Sequence, residues 1–253
     1  MSFSIRQKRI LEIAHKVGHV TVEGLAEEFD VSPQTIRRDL NELCEQAALM
    51  RTHGGAVVAS GVANIGYDQR RVHMQAEKEA LAALCAADIP DGCSLFINIG
   101  TTTEAVARAL LKHRELMAIT NNMNVAMTLA RNPDCEVVVA GGVLRRSDNG
   151  LVGEATTDFI RQFKVDIAII GASAVDMDGT LLDFDYREVR VAQAIIQNAR
   201  RVFLVADGSK FERSAPVRIA SLTDLDALYT DRQPPAPIRR LCAEHDIALR
   251  VPA

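Results

Sequence analysis

From Ser94 to Val251 the chain alternates two patterns, and this alternation constrains the fold more than any other feature. The short, almost continuously apolar runs SLFINI, LMAIT, EVVVA, VDIAIIGA, RVFLVA, ALYTD and ALRV have the length and β-branched content of strands. Helical patterns stand between them, over residues 103–113, 124–132, 154–163, 187–199 and 237–245. Strands that lack a polar face are buried on both sides, and strands separated by helices pair in parallel. The expected architecture is therefore α/β, a mostly parallel sheet with helices on both faces. In such sheets ligands bind beyond the carboxyl ends of the strands.

Polar residues cluster at those ends. Gly100, Thr101, Thr102 and Thr103 follow the first run and lead into a helix. Glycine permits close backbone approach, hydroxyls donate, and a helix N-terminus favours an anion. Thr120, Asn121 and Asn122 close the second run, and Gly141-Gly142 follows the third. Ser173 and Asp176 come after the fourth, and Asp207-Gly208-Ser209-Lys210 after the fifth. Taken singly, each is an ordinary turn or cap sequence. Together they form a cradle suited to a small phosphate ester.

The first 57 residues follow a different rule. Ile5 to Val17 has one apolar side and stops at Gly18. Thr21 can cap a helix over Val22 to Phe29. After Asp30 and Val31, Ser32 caps and Pro33 opens a third helix, with Ile36, Leu40 and Leu43 on one stripe. Gln34, Thr35, Arg37, Arg38 and Asn41 fall off the stripe and face outward. Two short helices joined by a tight turn describe a helix-turn-helix, and such an outward face matches base edges and phosphates in a major groove. A solvated amphipathic helix is the plainer alternative for this stretch alone. LMRTHGGAVV then predicts a β-hairpin turning at Gly54-Gly55, a wing.

Composition narrows the function. No tryptophan occurs and aromatics are 4% of the chain, which disfavours platforms for stacking single-stranded bases. Cys44, Cys85, Cys93, Cys135 and Cys242 include no C-x-x-C pair, and the histidines lack ligand spacing, so neither a disulfide framework nor a metal site is expected. No cofactor is implied. The N-terminal stretch MSFSIRQKRI has no apolar signal segment and no run approaches membrane-spanning length; a cytoplasmic location is expected. The net charge of −4 argues against indiscriminate polyanion binding. Within residues 1–57 seven basic residues meet eight acidic ones, so any DNA footprint must come from placement, with Arg6, Arg37, Arg38 and Arg51 as candidates.

VTVEGLAEEFDVSPQTIRRDLNEL followed by RTHGGA resembles the DeoR family of bacterial transcription regulators. The resemblance implies that Gln34, Thr35 and Arg38 read bases on the helix opened by Ser32, that Arg37 takes phosphate, and that Arg6 and Arg51 add backbone contacts. GTTT, TNN, AGG, GAS, VD, DG and D-x-S-K-F, in this order, resemble the family's effector domain, which is related in fold to ribose-5-phosphate isomerase. By that resemblance Gly100, Thr101 and Thr102 form a phosphate loop, with Thr120, Asn121, Gly141 and Gly142 beside it. Lys210 helps to hold the phosphate ester, and Asp176, Asp185 and Glu188 meet its hydroxyl groups. Glu188 is equally well placed as a helix-start acid. The motifs VGEAT, FDY and EVR, with SPQTIRRDLNEL, are similar to the branch of the family that answers to sn-glycerol 3-phosphate, which is the effector so implied.

The expected organisation is a winged helix-turn-helix over residues 1–57, a linker over 58–75 and a sugar-phosphate-sensing domain over 76–253. Symmetric operators imply a homodimer or homotetramer. The competing possibility is a sugar-phosphate isomerase carrying a helix-turn-helix. That family places a lysine and glycines after the counterpart of Asp176, whereas this chain reads GTLLDFDYRE, so the catalytic apparatus is not carried over.

Overall fold

The computed structural model describes residues 3–17, 19–46, 48–52, 54–58, 67 and 74–252. The chain divides into two compact units, Met1–Ile65 and Gly66–Ala253.

The first unit comprises helix α1 (Ile5–Val17), strand β1 (His19–Thr21), helices α2 (Val22–Glu28) and α3 (Pro33–Glu45), and strands β2 (Leu49–Thr52) and β3 (Gly55–Val58). Both predicted caps form. Thr21 accepts from the Gly24 amide and Ser32 from the Thr35 amide, with Pro33 at the start of α3. Ile10, Ala14, Val22, Leu25, Ile36, Leu40, Leu43, Leu49 and Ala56 make one core. Two details differ from expectation. Thr52 pairs with Gly55, so Gly55 belongs to the strand and not to the turn. The wing also gains a third strand, because Val20 pairs with Ala56. Only glycine fits that register, since a Cβ on Gly55 would lie 2.1 Å from the Val20 carbonyl oxygen.

The second unit runs α4 (Gln75–Ala87), β4 (Ser94–Ile97), α5 (Thr101–Ala109), β5 (Leu116–Thr120), α6 (Met123–Leu129) and β6 (Cys135–Val139). It continues with β7 (Val143–Arg145), β8 (Gly150–Val152), α7 (Glu154–Ile160), β9 (Val165–Ile170), β10 (Ala174–Val175), β11 (Thr180–Asp183) and α8 (Tyr186–Gln197). It ends with β12 (Ala199–Val205), β13 (Val217–Ser221), β14 (Ala227–Tyr229), α9 (Ala236–Glu244) and β15 (Ala248–Arg250). The apolar runs of the sequence become a single seven-stranded sheet, ordered β15-β14-β12-β9-β4-β5-β6. Every pairing in it is parallel.

Successive residues of the central strands serve opposite faces. Leu95, Ile97, Ile167, Ile169 and Phe203 pack with Leu81 of α4, Val106 of α5 and Leu129 of α6. Phe96, Ala168, Ile170 and Leu204 pack with Ile160 of α7, Ile195 of α8 and Ile238 of α9. This two-sided burial is why the runs read as continuously apolar, and each buried Ile or Leu contributes roughly 1.5–3 kcal/mol. The structure adds the hairpin β7–β8 and the small antiparallel sheet β10-β11-β13, which the periodicity did not predict. β7 and β8 have three residues each and β10 two, too few to display a period. Helix α5 begins at Thr101, ahead of the expected residue 103, and gives way to a 3-10 turn at Leu110–Lys112.

The chain enters the sheet at β4, moves outward through β5 and β6, then returns to the other side of β4 as β9 and moves outward again. The strand order therefore reverses between β4 and β9, the place at which parallel α/β sheets bind ligands.

Candidate DNA-reading helix and effector crevice

In the first unit α3 turns Ile36, Leu40 and Leu43 fully inward and leaves Gln34, Arg37 and Arg38 exposed, with Thr35 half-buried. The Ser32 and Thr35 hydroxyls lie 2.9 Å apart, which fixes the first turn of the helix. Asp39 is buried on the same helix and pairs with Arg6 at 2.5 Å, tying α1 to α3. That hydrogen bond and charge hold the Arg6 pKa above its ordinary value. Arg6 is thus a bracing residue in this structure as well as a cation beside the helix. Gln7 donates to Glu42 at 2.6 Å, and Arg38 lies 3.4 Å from the other Glu42 oxygen. Arg6, Ser32, Gln34, Thr35 and Arg38 share one cleft. Arg37 makes no ion pair among the described residues. Arg51 lies on β2, and its side chain falls outside the described residues.

In the second unit the carboxyl edge of the sheet gathers most of the predicted ligand residues. Gly100 precedes α5, Thr101 and Thr102 open that helix, and the Thr103 hydroxyl closes the loop onto the carbonyls of Asn98 and Gly100. The first amides of a helix have no partner within it and point at whatever sits before it. Thr120 spends its hydroxyl inside the fold, donating to the Ile97 carbonyl and accepting from the Asn122 amide. Asn121 donates to the Leu151 carbonyl. The Gly141 carbonyl accepts from Thr156, and a Cβ on Gly142 would lie 1.9 Å from the Thr156 hydroxyl oxygen. A Cβ on Gly171, the residue after β9, would lie 4.0 Å from the carbonyl oxygens of both Ile99 and Val205, so the ends of β4 and β12 converge on it.

Among the described residues three buried side-chain atoms have no hydrogen-bond partner: Asn98 Oδ1, Asn121 Oδ1 and Thr230 Oγ1. Each belongs to the residue immediately after a parallel strand, namely β4, β5 and β14. Leaving such an atom unmet costs about 1–3 kcal/mol. Three on one edge mark where polar contacts are available to a ligand.

Charge at this edge divides in two. Lys210 lies 4.0 Å from the buried Asp207 carboxylate. Burial pulls the Asp207 pKa up, but the charges of Lys210 and Lys78 and hydrogen bonds from Ser209 outweigh it and hold the group ionised below its usual value. Lys78, only 4% exposed, was not among the predicted residues. Its signal was present, since it stands three and four residues before Leu81 and Ala82, on the apolar stripe of α4.

Arg145 is the other centre, and nothing in the polar run RRSDNG distinguished it. Its guanidinium reaches Asp148 at 2.5 Å, Glu188 at 2.6 Å and Asp185 at 3.1 Å, which clasps the β7–β8 hairpin to the start of α8. Asp185 caps α8 through the Arg187 amide. Burial raises the Asp185 pKa, and the bonds from Arg187 and Arg145 more than reverse this. Glu188 behaves oppositely: burial and the nearby Asp183 charge push its pKa up to about 8 against the pull of Arg145. Asp183 accepts from the Ser173 hydroxyl just beyond β9. Asp176 is not brought into this group. It sits in the β10–β11 turn, and the pairing Ala174↔Leu182 puts that turn at the opposite end of the hairpin from Ser173 and Asp183. Its pKa is raised by burial and by Asp178. Asp183, at the other end of that hairpin, is the carboxylate next to Ser173 and Glu188.

A winged helix-turn-helix followed by an α/β unit with a polar crevice defines a two-part, ligand-responsive transcription regulator. Residues 6–62 match the DeoR-like helix-turn-helix domain and residues 73–232 the DeoR C terminal sensor domain, and the chain belongs to the DeoR family. It is 50% identical over 97% of its length, and 98% of the relative's, to the glycerol-3-phosphate regulon repressor of Escherichia coli (strain K12). It is 48% identical to the repressor of the same description from Haemophilus influenzae, over 92% of this chain and 91% of that one. These full-length relatives are repressors, not enzymes, and the isomerase alternative is set aside on that ground. Ribose 5-phosphate isomerase from Plasmodium falciparum shares 12% identity over 55% of this chain and 53% of its own, with a TM-score of 0.41, a likeness too distant to bear on chemistry.

Proposed function

We propose that this protein represses genes of glycerol and glycerol 3-phosphate metabolism and leaves its operator when sn-glycerol 3-phosphate binds the second unit. The observation that carries this reading is the near full-length similarity to glycerol-3-phosphate regulon repressors. The carboxyl-edge crevice supports it, with a helix N-terminus, two lysines and unmet polar atoms for a phosphate ester. In this reading Gln34, Thr35 and Arg38 read bases, Arg37 takes phosphate, and Arg6 and Arg51 add backbone contacts. Gly100, Thr101, Thr102 and Lys210 hold the effector phosphate, while Asp185 and Glu188 face its hydroxyls. Residues 58–75 link the DNA-binding and sensing parts. A homodimer or homotetramer presents paired heads to a symmetric operator, in the cytoplasm. No helix among the described residues is long and apolar enough to cross a membrane.

Release requires that the effector prefer the conformation that fits DNA poorly, since equal affinity for both states shifts nothing. The test is a titration on fluorescent DNA from upstream of the neighbouring genes at fixed salt, because phosphate contacts make affinity steeply salt-dependent. Tight binding released by glycerol 3-phosphate, and not by fructose or ribose phosphates, supports the proposal. Tight binding indifferent to glycerol 3-phosphate reassigns the effector to another phosphorylated metabolite.

A further inference from the structure

Tyr67 is the first described residue after the DNA-binding unit, which ends at Ile65. Its hydroxyl lies 3.1 Å from Oε1 and 2.9 Å from Oε2 of Glu104, and accepts from Asn124 Nδ2 at 2.9 Å. Glu104 is 5% exposed and stands in the first turn of α5, the helix whose amino end faces the effector crevice. It also accepts from Asn122 and Asn124, at 3.2 and 2.9 Å. From Asn124 the network continues to the Asp148 carbonyl at 3.2 Å and to Asn149 at 3.0 Å. The Asp148 carboxylate then meets Arg145, which holds Asp185 and Glu188. A path of hydrogen bonds, completed through the covalent frame of Asp148, therefore joins the root of the connection to the DNA-binding unit with the groups assigned to the effector.

We propose that Tyr67 is the positioning residue through which the sensor unit holds the chain leading to the DNA-binding unit, and that an anionic effector loosens this hold through Glu104. The proposal rests on the effector site described above. Thr101 and Glu104 are separated by about 4.5 Å of helix rise. A phosphate arriving before α5 brings negative charge close to a carboxylate already shielded from water, where repulsion is strong. The carboxylate yields by turning away, which weakens its acceptance of the Tyr67 hydroxyl. The held state is then the DNA-competent one and the loosened state the effector-bound one, a difference of the kind that release requires.

Tyr67→Phe keeps the ring and removes the hydroxyl. Without effector, the full-length variant is expected to bind its operator about tenfold more weakly than wild type, the scale of one charge-assisted hydrogen bond. Glycerol 3-phosphate is expected to weaken operator binding further by a much smaller factor than in wild type. Its calorimetric affinity for the DNA-free variant is expected to be unchanged or tighter, as reciprocal coupling demands. Wild-type operator affinity with wild-type release overturns the proposal. Loss of effector binding along with operator binding also overturns it, by making Tyr67 a folding residue. Glu104→Gln leaves an acceptor and removes the charge, so effector-driven release is expected to shrink; undiminished release refutes the repulsion step. If glycerol 3-phosphate fails to bind wild-type protein, the effector assignment falls by itself. The effector-free comparison of Tyr67→Phe with wild type then still decides whether the hold exists.

Discussion

The two units solve recognition in opposite ways. In the first, the candidate base-reading contacts are outward side chains on one thirteen-residue helix, α3, and among the described residues the interior below them is apolar apart from Gln7 and Asp39. In the second, the candidate contacts are inward groups carried by loops from Asn98 to Thr230, and the interior beside them is charged. A surface reader needs a rigid helix and exposed donors. A sensor must surround a small molecule, so it draws single residues from many strand ends and accepts buried charge to do so.

Four substitutions or conditions break or sharpen that contrast. The largest effect is expected from Arg145→Met, which strands Asp148, Asp185 and Glu188 together. Removing one partner of a buried ion pair typically costs about 3–5 kcal/mol, so the sensor unit is expected to melt much earlier. A calorimetric trace with unchanged melting would show the clasp to be dispensable.

The second effect follows from Glu188. Its pKa is raised in the folded protein, so folding favours the protonated form. That contribution is complete below the ordinary value of 4.5 and is lost as pH rises through about 8. Wild-type melting is therefore expected to fall, relative to Glu188→Gln, by up to a few kcal/mol across that window. A pH-independent difference between the two proteins would mean that Arg145 keeps Glu188 ionised throughout.

Lys210→Met comes next. Loss of a charged hydrogen bond to the effector corresponds to about 1.5–3 kcal/mol in effector affinity, read by calorimetry, with effector-free operator binding unchanged. Arg38→Ala is its mirror image. Operator binding is expected to weaken by roughly 1–3 kcal/mol while effector affinity stays the same. A variant in one unit that moves both affinities would blur the division of labour.

The same contrast explains what the sequence could disclose. α3 was legible because cap, proline, stripe and outward polar face are all local, and the structure reproduces each of them. The seven-stranded sheet was legible because burial on both faces leaves an unmistakable apolar run. The loops of the crevice were legible as positions, since each follows a strand. Their partnerships were not. Arg145 meets Glu188 forty-three residues later, and no periodicity records such a pairing. The motif that marks Asp176 indicates a turn without showing that Ser173 and Asp183 lie at the other end of the same hairpin. Lys78 does carry a local signal, a lysine on the apolar stripe of an amphipathic helix.

The position of β4 has a consequence for how the protein is made. β4 lies in the middle of the sheet, yet its neighbour β9 lies far along the chain, with Leu95 paired to Ile167 and Ser94 bonded to Asp166 seventy-two residues away. A ribosome adding about 5–20 residues per second needs several seconds to supply that partner. Until then β4 lacks its partner on that side, and an unpaired apolar strand is a template for pairing with another nascent chain. The crevice and this interval have the same origin, because the reversal of strand order that marks the ligand edge also delays closure of the sheet. Hence the fold that makes room for an effector also exposes newly made chains to aggregation.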